Sequence, residues 1–205
     1  MRRSSTSLLL ASLLTAVAGA GATAQAHDRT EHDDDDGHGR ADRFEAELEP
    51  VNADGDGRVR LRKRDGKLVV KLKAKGLDDG IHIAHIHGMA QARSECPGSS
   101  FDTDGNGVVD LLEGLPAYGP VQVTLSNGLS DVGTRLKYRR SYTQRDNGDS
   151  LESLGDLSQY AIVVHGVDLD HDHMATNTDA AGDGQPNPAD NEISMPALCG
   201  VIEVD

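Results

Sequence analysis

Residues 58–75 leave the chain little choice of fold. Arg58-Val-Arg-Leu-Arg-Lys alternates polar and apolar side chains. Asp65-Gly66 interrupts the run, and Lys67-Leu-Val-Val-Lys-Leu-Lys-Ala-Lys resumes it. A period of two sends successive side chains to opposite faces of a strand, and Asp-Gly between two such runs is a hairpin turn. The segment therefore reads as two antiparallel strands with one apolar face and one solvated, lysine-rich face. Ile81 to His87, Pro120 to Ser126, Gln159 to His165 and Gly200 to Val204 are further strand candidates. Turns rich in Gly, Asp and Asn separate them, which predicts an all-β antiparallel sandwich or barrel. Tryptophan is absent and aromatics make up 3%, so the core must come from Val, Leu, Ile and Ala. No long amphipathic helix is evident. Short helical turns are expected near Leu111 to Gly114 and Leu151 to Leu157, with Gly114 and Pro116 stopping the first. Two long polar insertions, 94–116 and 168–192, interrupt the strands, and such loops are usual carriers of function.

The first 26 residues read as a signal peptide: Arg2 and Arg3, an apolar run from Leu8 to Ala18, and Ala24-Gln25-Ala26 as an A-x-A-like cleavage site. Residues 27–43 read as a disordered acidic leader whose His27, His32 and His38 could chelate metal weakly. Residues 44–205 then form one domain. No later stretch is apolar enough for a membrane helix, so the mature chain is expected to lack a span and to be secreted, periplasmic or extracellular. A formal net charge of −14 argues against nucleic acid as a partner and suits a protein that holds cations. In an exported protein Cys96 and Cys199 are expected to pair; the alternative is two free thiols held for metal or redox work.

Residues 102–113 read Asp-Thr-Asp-Gly-Asn-Gly-Val-Val-Asp-Leu-Leu-Glu, which satisfies the EF-hand calcium-loop pattern D-x-[DN]-x-[DN]-G-x5-E. Calcium takes six to eight hard oxygens. Asp102, Asp104 and Asn106 would supply side-chain oxygens, Val108 its carbonyl, Asp110 a direct or water-borne contact, and Glu113 both carboxylate oxygens. Gly107 permits the sharp turn, and Val109 is expected to be pinned in the core. Cys96-Pro97-Gly98 precedes the loop and Gly114 and Pro116 follow it, so the loop is grafted between strands and a structural role is expected rather than a sensor's. Asn52, Asp54 and Asp56 resemble the start of a second loop, but Lys63 stands where the closing glutamate belongs, so a tight turn is expected there. Asp168, Asp170, Asp172, His171 and His173 offer either a solvated loop or another cation contact.

Gly80-Ile-His-Ile-Ala-His-Ile-His carries three histidines, and on a strand His85 and His87 share a face. His165, which ends Ala161-Ile-Val-Val, could converge on them. Two readings are open: a copper or zinc ligand set, or buried histidines satisfied by hydrogen bonds. Gly80 to His87 resembles the strand of copper/zinc superoxide dismutases that carries G-[LI]-H-x-[FA]-H-[VI]-H. Ile162-Val-Val-His165 resembles the family's later copper-ligand strand, and Cys199-Gly-Val-Ile its C-terminal C-G-V-I. The resemblance implies a Greek-key β-sandwich with long metal-binding loops, copper on His85, His87 and His165, and a Cys96–Cys199 disulfide. Ala84-His-Ile-His-Gly with Tyr118-Gly-Pro-Val also resembles CHRD domains. The departures are specific. Residues 97–120 hold no histidine where the dismutases place zinc ligands, and Pro196 stands at the position of their active-site arginine.

These readings lead to a secreted, calcium-binding sandwich with a structural or interaction role. Its partners would be metal ions and an extracellular protein or surface polymer. The alternative is a copper-dependent, superoxide dismutase-like redox enzyme without the zinc site.

Overall fold

Apolar residues alternating with charged ones build the first three strands, β1 (Asp42–Pro50), β2 (Asp56–Arg64) and β3 (Lys67–Lys75). The computed structural model describes residues 41–88, 93–173 and 191–205. Residues 1–26, read above as a signal peptide, leader residues 27–40 and most of the 168–192 loop lie outside them. The hairpin of β2 and β3 runs in register from Asp56↔Lys75 to Arg64↔Lys67. Asp65 and Gly66 join the strands at φ 49° and 69°. Two successive left-handed residues make the type I′ turn, whose twist matches the strands it links. Val59, Leu61, Leu68, Val70 and Leu72 all point inward and are buried.

Six further strands complete the fold among the described residues: β4 (Ile83–His87), β5 (Val121–Thr124), β6 (Arg135–Tyr142), β7 (Ala161–His165), β8 (Pro196–Val201) and β9 (Glu203–Val204). The order is β5-β4-β7-β8-β1-β2-β3-β6, antiparallel throughout, with β9 on β1. β1 is the joint. Its first part pairs with β2, and Glu49 and Pro50 pair with β8. The sheet therefore curls, and one hydrophobic cluster gathers Val59 and Leu72 from one half with Ile86, Ile162 and Leu198 from the other. This is the all-β antiparallel fold expected of the sequence. The neighbours β3–β6, β4–β7 and β8–β1 are not consecutive, as in Greek-key connections.

Several boundaries differ from the sequence reading. β1 begins at Asp42, two residues before the expected domain start, and its alternation is carried by Glu45, Glu47 and Glu49, poor strand formers. β6 was hidden because an inward position holds Arg140. That guanidinium is anchored by Asp131 at 2.6 and 2.7 Å and lies 3.9 Å over the Tyr138 ring. Leu157–Gln159 is a 3-10 turn, so β7 starts only at Ala161. β8 starts at Pro196 rather than Gly200.

The helix near Leu111 does not stop at Gly114 or Pro116. It runs as α1 from Leu111 to Tyr118. A reciprocal capping box between Asp110 and Glu113 nucleates it. Gly114 is required because a Cβ there would meet the Tyr118 ring at 2.5 Å. Pro116 removes one backbone donor in a helix only two turns long, and the end is still closed by Gly119 N–H to the Leu115 carbonyl at 2.8 Å. Cys96 and Cys199 form a disulfide, which ties the 93–119 insertion to β8. No helix among the described residues is long and apolar enough to cross a membrane.

Candidate metal sites

The antiparallel register sets the histidine site. His87 lies opposite Ala161, His85 opposite Val163, and Ile83 opposite His165. Directly paired residues share a face, so His85, His87 and His165 emerge together. That face also carries Ala161, Val163 and Cys199, and it packs against Tyr118 and Cys96 rather than against the main core. The insertion is thus the roof of the site. His82, on the other face, sets its ring nitrogens against the carbonyls of His165 at 3.2 Å and Asp78 at 2.9 Å, and is a structural histidine.

The three rings stand 5.2–5.3 Å apart between centroids. His87 Nδ1 lies 2.7 Å from the Gly119 carbonyl and His165 Nδ1 lies 2.6 Å from the Ser194 carbonyl. A carbonyl only accepts, so both Nδ1 atoms carry the proton and both Nε2 atoms carry lone pairs. Those Nε2 atoms face each other at 3.2 Å. Burial holds His87 down to about 4, against the opposing pull of the Gly119 carbonyl. Burial also pushes His165 well below its ordinary value, and the other two histidines push it further. Neither ring holds a second proton at neutral pH, so two lone pairs face each other. His85 Nδ1 is buried without a hydrogen-bond partner, and burial sets His85 at about 4 despite the nearby Asp146. One ligand atom from each residue falls within 4.8 Å of the others. A metal cation would satisfy all three nitrogens at once, so the residues fit a metal. Tyr118 completes the pocket, its ring centroid 4.8 Å from that of His87 and its hydroxyl donating to the Leu111 carbonyl at 3.3 Å. Pro196 stands in register with His165 and brings no charge.

These shifts carry a sign. A histidine with a folded pKa near 4 takes up its proton in the unfolded chain first, near 6.5. Between those values the unfolded state binds more protons, so stability rises with pH there and is flat above. Metal-free protein is expected to lose melting temperature steadily from pH 6.5 to pH 4. His85→Ala should flatten part of that slope in calorimetry.

Residues 102–113 fold back on themselves. Asp102 accepts from Gly105 N–H at 2.8 Å and Gly107 N–H at 3.0 Å, and Asp104 accepts from Asn106 N–H at 3.0 Å. Gly105 and Gly107 take φ 78° and 93°, which glycine alone reaches cheaply. Glu113, from the first turn of α1, reaches over the loop. Its Oε1 accepts from Thr103 N–H at 2.5 Å and Asp104 N–H at 3.2 Å, and its Oε2 from Asp110 N–H at 3.1 Å. Asp102, Asp104 and Glu113 thereby bring carboxylate oxygens within 4.8 Å of one another. Partial burial raises the Glu113 carboxyl, but hydrogen bonds from Thr103, Asp110 and Asp104 outweigh it and hold it below the usual range. Asp110 caps α1 at Glu113 N–H, 2.8 Å away, and Asn106 turns its Oδ1 to Val108 N–H at 2.9 Å. Val109 is buried, as expected.

The expected tight turn at Asn52 has a further task. The Asn52 amide clamps the 102–113 loop: Oδ1 accepts from Val109 N–H at 2.8 Å, and Nδ2 donates to the Val109 carbonyl at 2.8 Å and the Pro196 carbonyl at 2.9 Å. Sequence reasoning missed this role, since a side-chain amide mimicking a strand partner has no local pattern. Asn52→Ala strands three backbone groups and is expected to cost about 1–3 kcal/mol in chemical denaturation.

Asp168 and Asp170 meet Glu192, which the sequence reading did not single out. The turn repeats that of 102–107. Asp168 accepts from His173 N–H at 3.0 Å, as Asp102 does from Gly107. Glu192 Oε1 accepts from Leu169 N–H at 2.7 Å and Asp170 N–H at 3.3 Å, as Glu113 does from Thr103 and Asp104. His171 and His173 take the left-handed positions, at φ 59° and 67°, that glycines hold in the first loop.

No family model matches the chain, and no curated protein matches it. Among solved structures, a crystal structure of the clock protein EA4 aligns with a TM-score of 0.41 at 19% identity, covering 82% of this chain and 99% of that one. A likeness of that degree carries no functional weight.

Proposed function

We propose that this chain is an exported metal-binding β-sandwich in which His85, His87 and His165 hold a copper ion and the 102–113 loop holds a structural calcium ion. The observation that carries the reading is the approach of the His87 and His165 Nε2 atoms to 3.2 Å, each ring's Nδ1 being held by a carbonyl, beside the orphaned Nδ1 of His85. Imidazole donors suit copper and zinc, and the divalent affinity order favours copper. Calcium would bind the hard oxygens of Asp102, Asp104 and Glu113, with a dissociation constant of order 10⁻⁴–10⁻³ M as in extracellular modules. Its role would be to hold the insertion that roofs the histidines. The disulfide fits an oxidising compartment.

A second reading, superoxide dismutation, is favoured by one observation: His85 is only partly buried, so one edge of the site reaches solvent. Copper would supply the one-electron chemistry. The carbonyls of Gly119 and Ser194 would fix the orientation and tautomer of His87 and His165. Against efficient turnover stand Pro196 in place of an arginine and a net charge of −14, which does not draw in an anion.

The test is copper titration of the metal-free protein followed by electron paramagnetic resonance. The proposal expects one tight equivalent with a type 2 signal split by nitrogen ligands. Copper held no more tightly than by a synthetic peptide of residues 27–43 would remove the copper assignment. A type 2 signal without superoxide turnover would leave the holding role and exclude the enzyme.

A further inference from the structure

Although acids outnumber bases in this chain, 34 to 20, one sheet face is strongly basic. The outward positions of β2, β3 and β6 place like charges directly across from one another. Arg60 faces Lys71, which faces Arg139; in the next row Lys73 faces Lys137. Like charges in directly opposed positions destabilise a sheet. The fold relieves this only at the border: Arg58 is paired by Glu45 at 3.0 Å and Glu47 at 2.8 Å, and Lys75 by Asp56 at 3.1 Å. Arg62, Lys71, Lys73, Lys137 and Arg139 are exposed and form no ion pair among the described residues; Arg60, also exposed, has Glu45 across from it on β1, but that carboxylate is paired to Arg58.

We propose that this face binds an extended anionic polysaccharide, with the carboxylate or sulfate groups of one polymer chain lying along the basic lane. The shape selects the partner. Three strands at about 4.8 Å spacing make a lane roughly 10 Å wide. Glu45 and Glu47 of β1, paired to Arg58, bound it on one side, which leaves a strip rather than the broad cationic surface that a membrane would engage. No aromatic side chain points outward in the lane, so it lacks the stacking platforms used for single-stranded nucleic acid. Arginine forks suit paired oxygens of carboxylate and sulfate.

The test uses the full chain, metal-free and metal-loaded, with polygalacturonate and dextran sulfate as probes. Neutral dextran, a single-stranded oligonucleotide and phosphatidylglycerol vesicles are the comparators. The two probes separate carboxylate from sulfate recognition. Binding to one or both is expected to weaken at least tenfold between about 50 and about 300 mM NaCl. Lys71→Glu turns the Arg60–Lys71–Arg139 row into alternating signs. It is therefore expected to melt no lower than the parent while losing about tenfold in affinity and about one unit of salt slope. Salt-independent binding by the parent chain overturns the proposal without any variant. So does Lys71→Glu binding as tightly as the parent, or tighter capture of the oligonucleotide or vesicles than of either polysaccharide.

Discussion

Replacing His165 with alanine is expected to lower copper affinity by at least two orders of magnitude. Losing a group that merely orients a ligand costs 10–100-fold, and a ligand itself should cost more. His165 is buried, and its Nε2 faces the Nε2 of His87 at 3.2 Å. The substitution also removes the hydrogen bond from His165 Nδ1 to the Ser194 carbonyl, so some stability is lost. His85→Ala separates the two effects, because His85 makes no hydrogen bond through Nδ1 and sits partly in solvent. It should bind copper at least tenfold more weakly with little change in melting temperature. Copper titration followed by electron paramagnetic resonance reads both variants. Parent-like copper binding by either one would show that the histidines are a buried polar cluster.

Glu113→Gln is expected to abolish the gain in melting temperature that the proposed calcium site gives the parent. Calcium at a hundredfold excess over its dissociation constant adds about 2.7 kcal/mol to a protein that binds it only when folded. Glutamine keeps an acceptor at Oε1 for Thr103 and Asp104 but loses the Oε2 acceptor of Asp110 N–H, so the calcium-free fold should survive with a slightly lower melting temperature. The carboxyl is held below its usual range, so it stays charged in mildly acidic solution. Differential scanning calorimetry with calcium and with chelator distinguishes the outcomes. A parent protein whose melting is indifferent to calcium would end the structural-ion reading whatever the variant does.

Where a feature depended on neighbours in sequence, it was legible. The β2–β3 hairpin follows from its alternation and Asp65-Gly66. The meeting of Asp102, Asp104 and Glu113 follows from their spacing, and the Cys96–Cys199 bond from reading the chain as exported. What was missed depends on contacts made across the fold. α1 survives Gly114 and Pro116 because Tyr118 packs where a Cβ would sit and Glu113 caps the start. β6 accepts Arg140 inside because Asp131 and Tyr138 wait for it. Asn52 and Glu192 lie far along the chain from the loops they brace. Spacing left the histidines undecided between ligands and core. The two carbonyls that fix their tautomers belong to Gly119 and Ser194, residues with no side-chain signal.

Helix α1 has a consequence for how the two proposed ions would behave together. Its first turn contributes Glu113, and the residue after its last turn lends a carbonyl to His87. Two turns of backbone are thus a strut with one foot in each site. Filling either site would stiffen the strut and lessen the ordering left for the other. Thermodynamic linkage requires the benefit to be mutual: whatever factor calcium adds to copper affinity, copper must return to calcium.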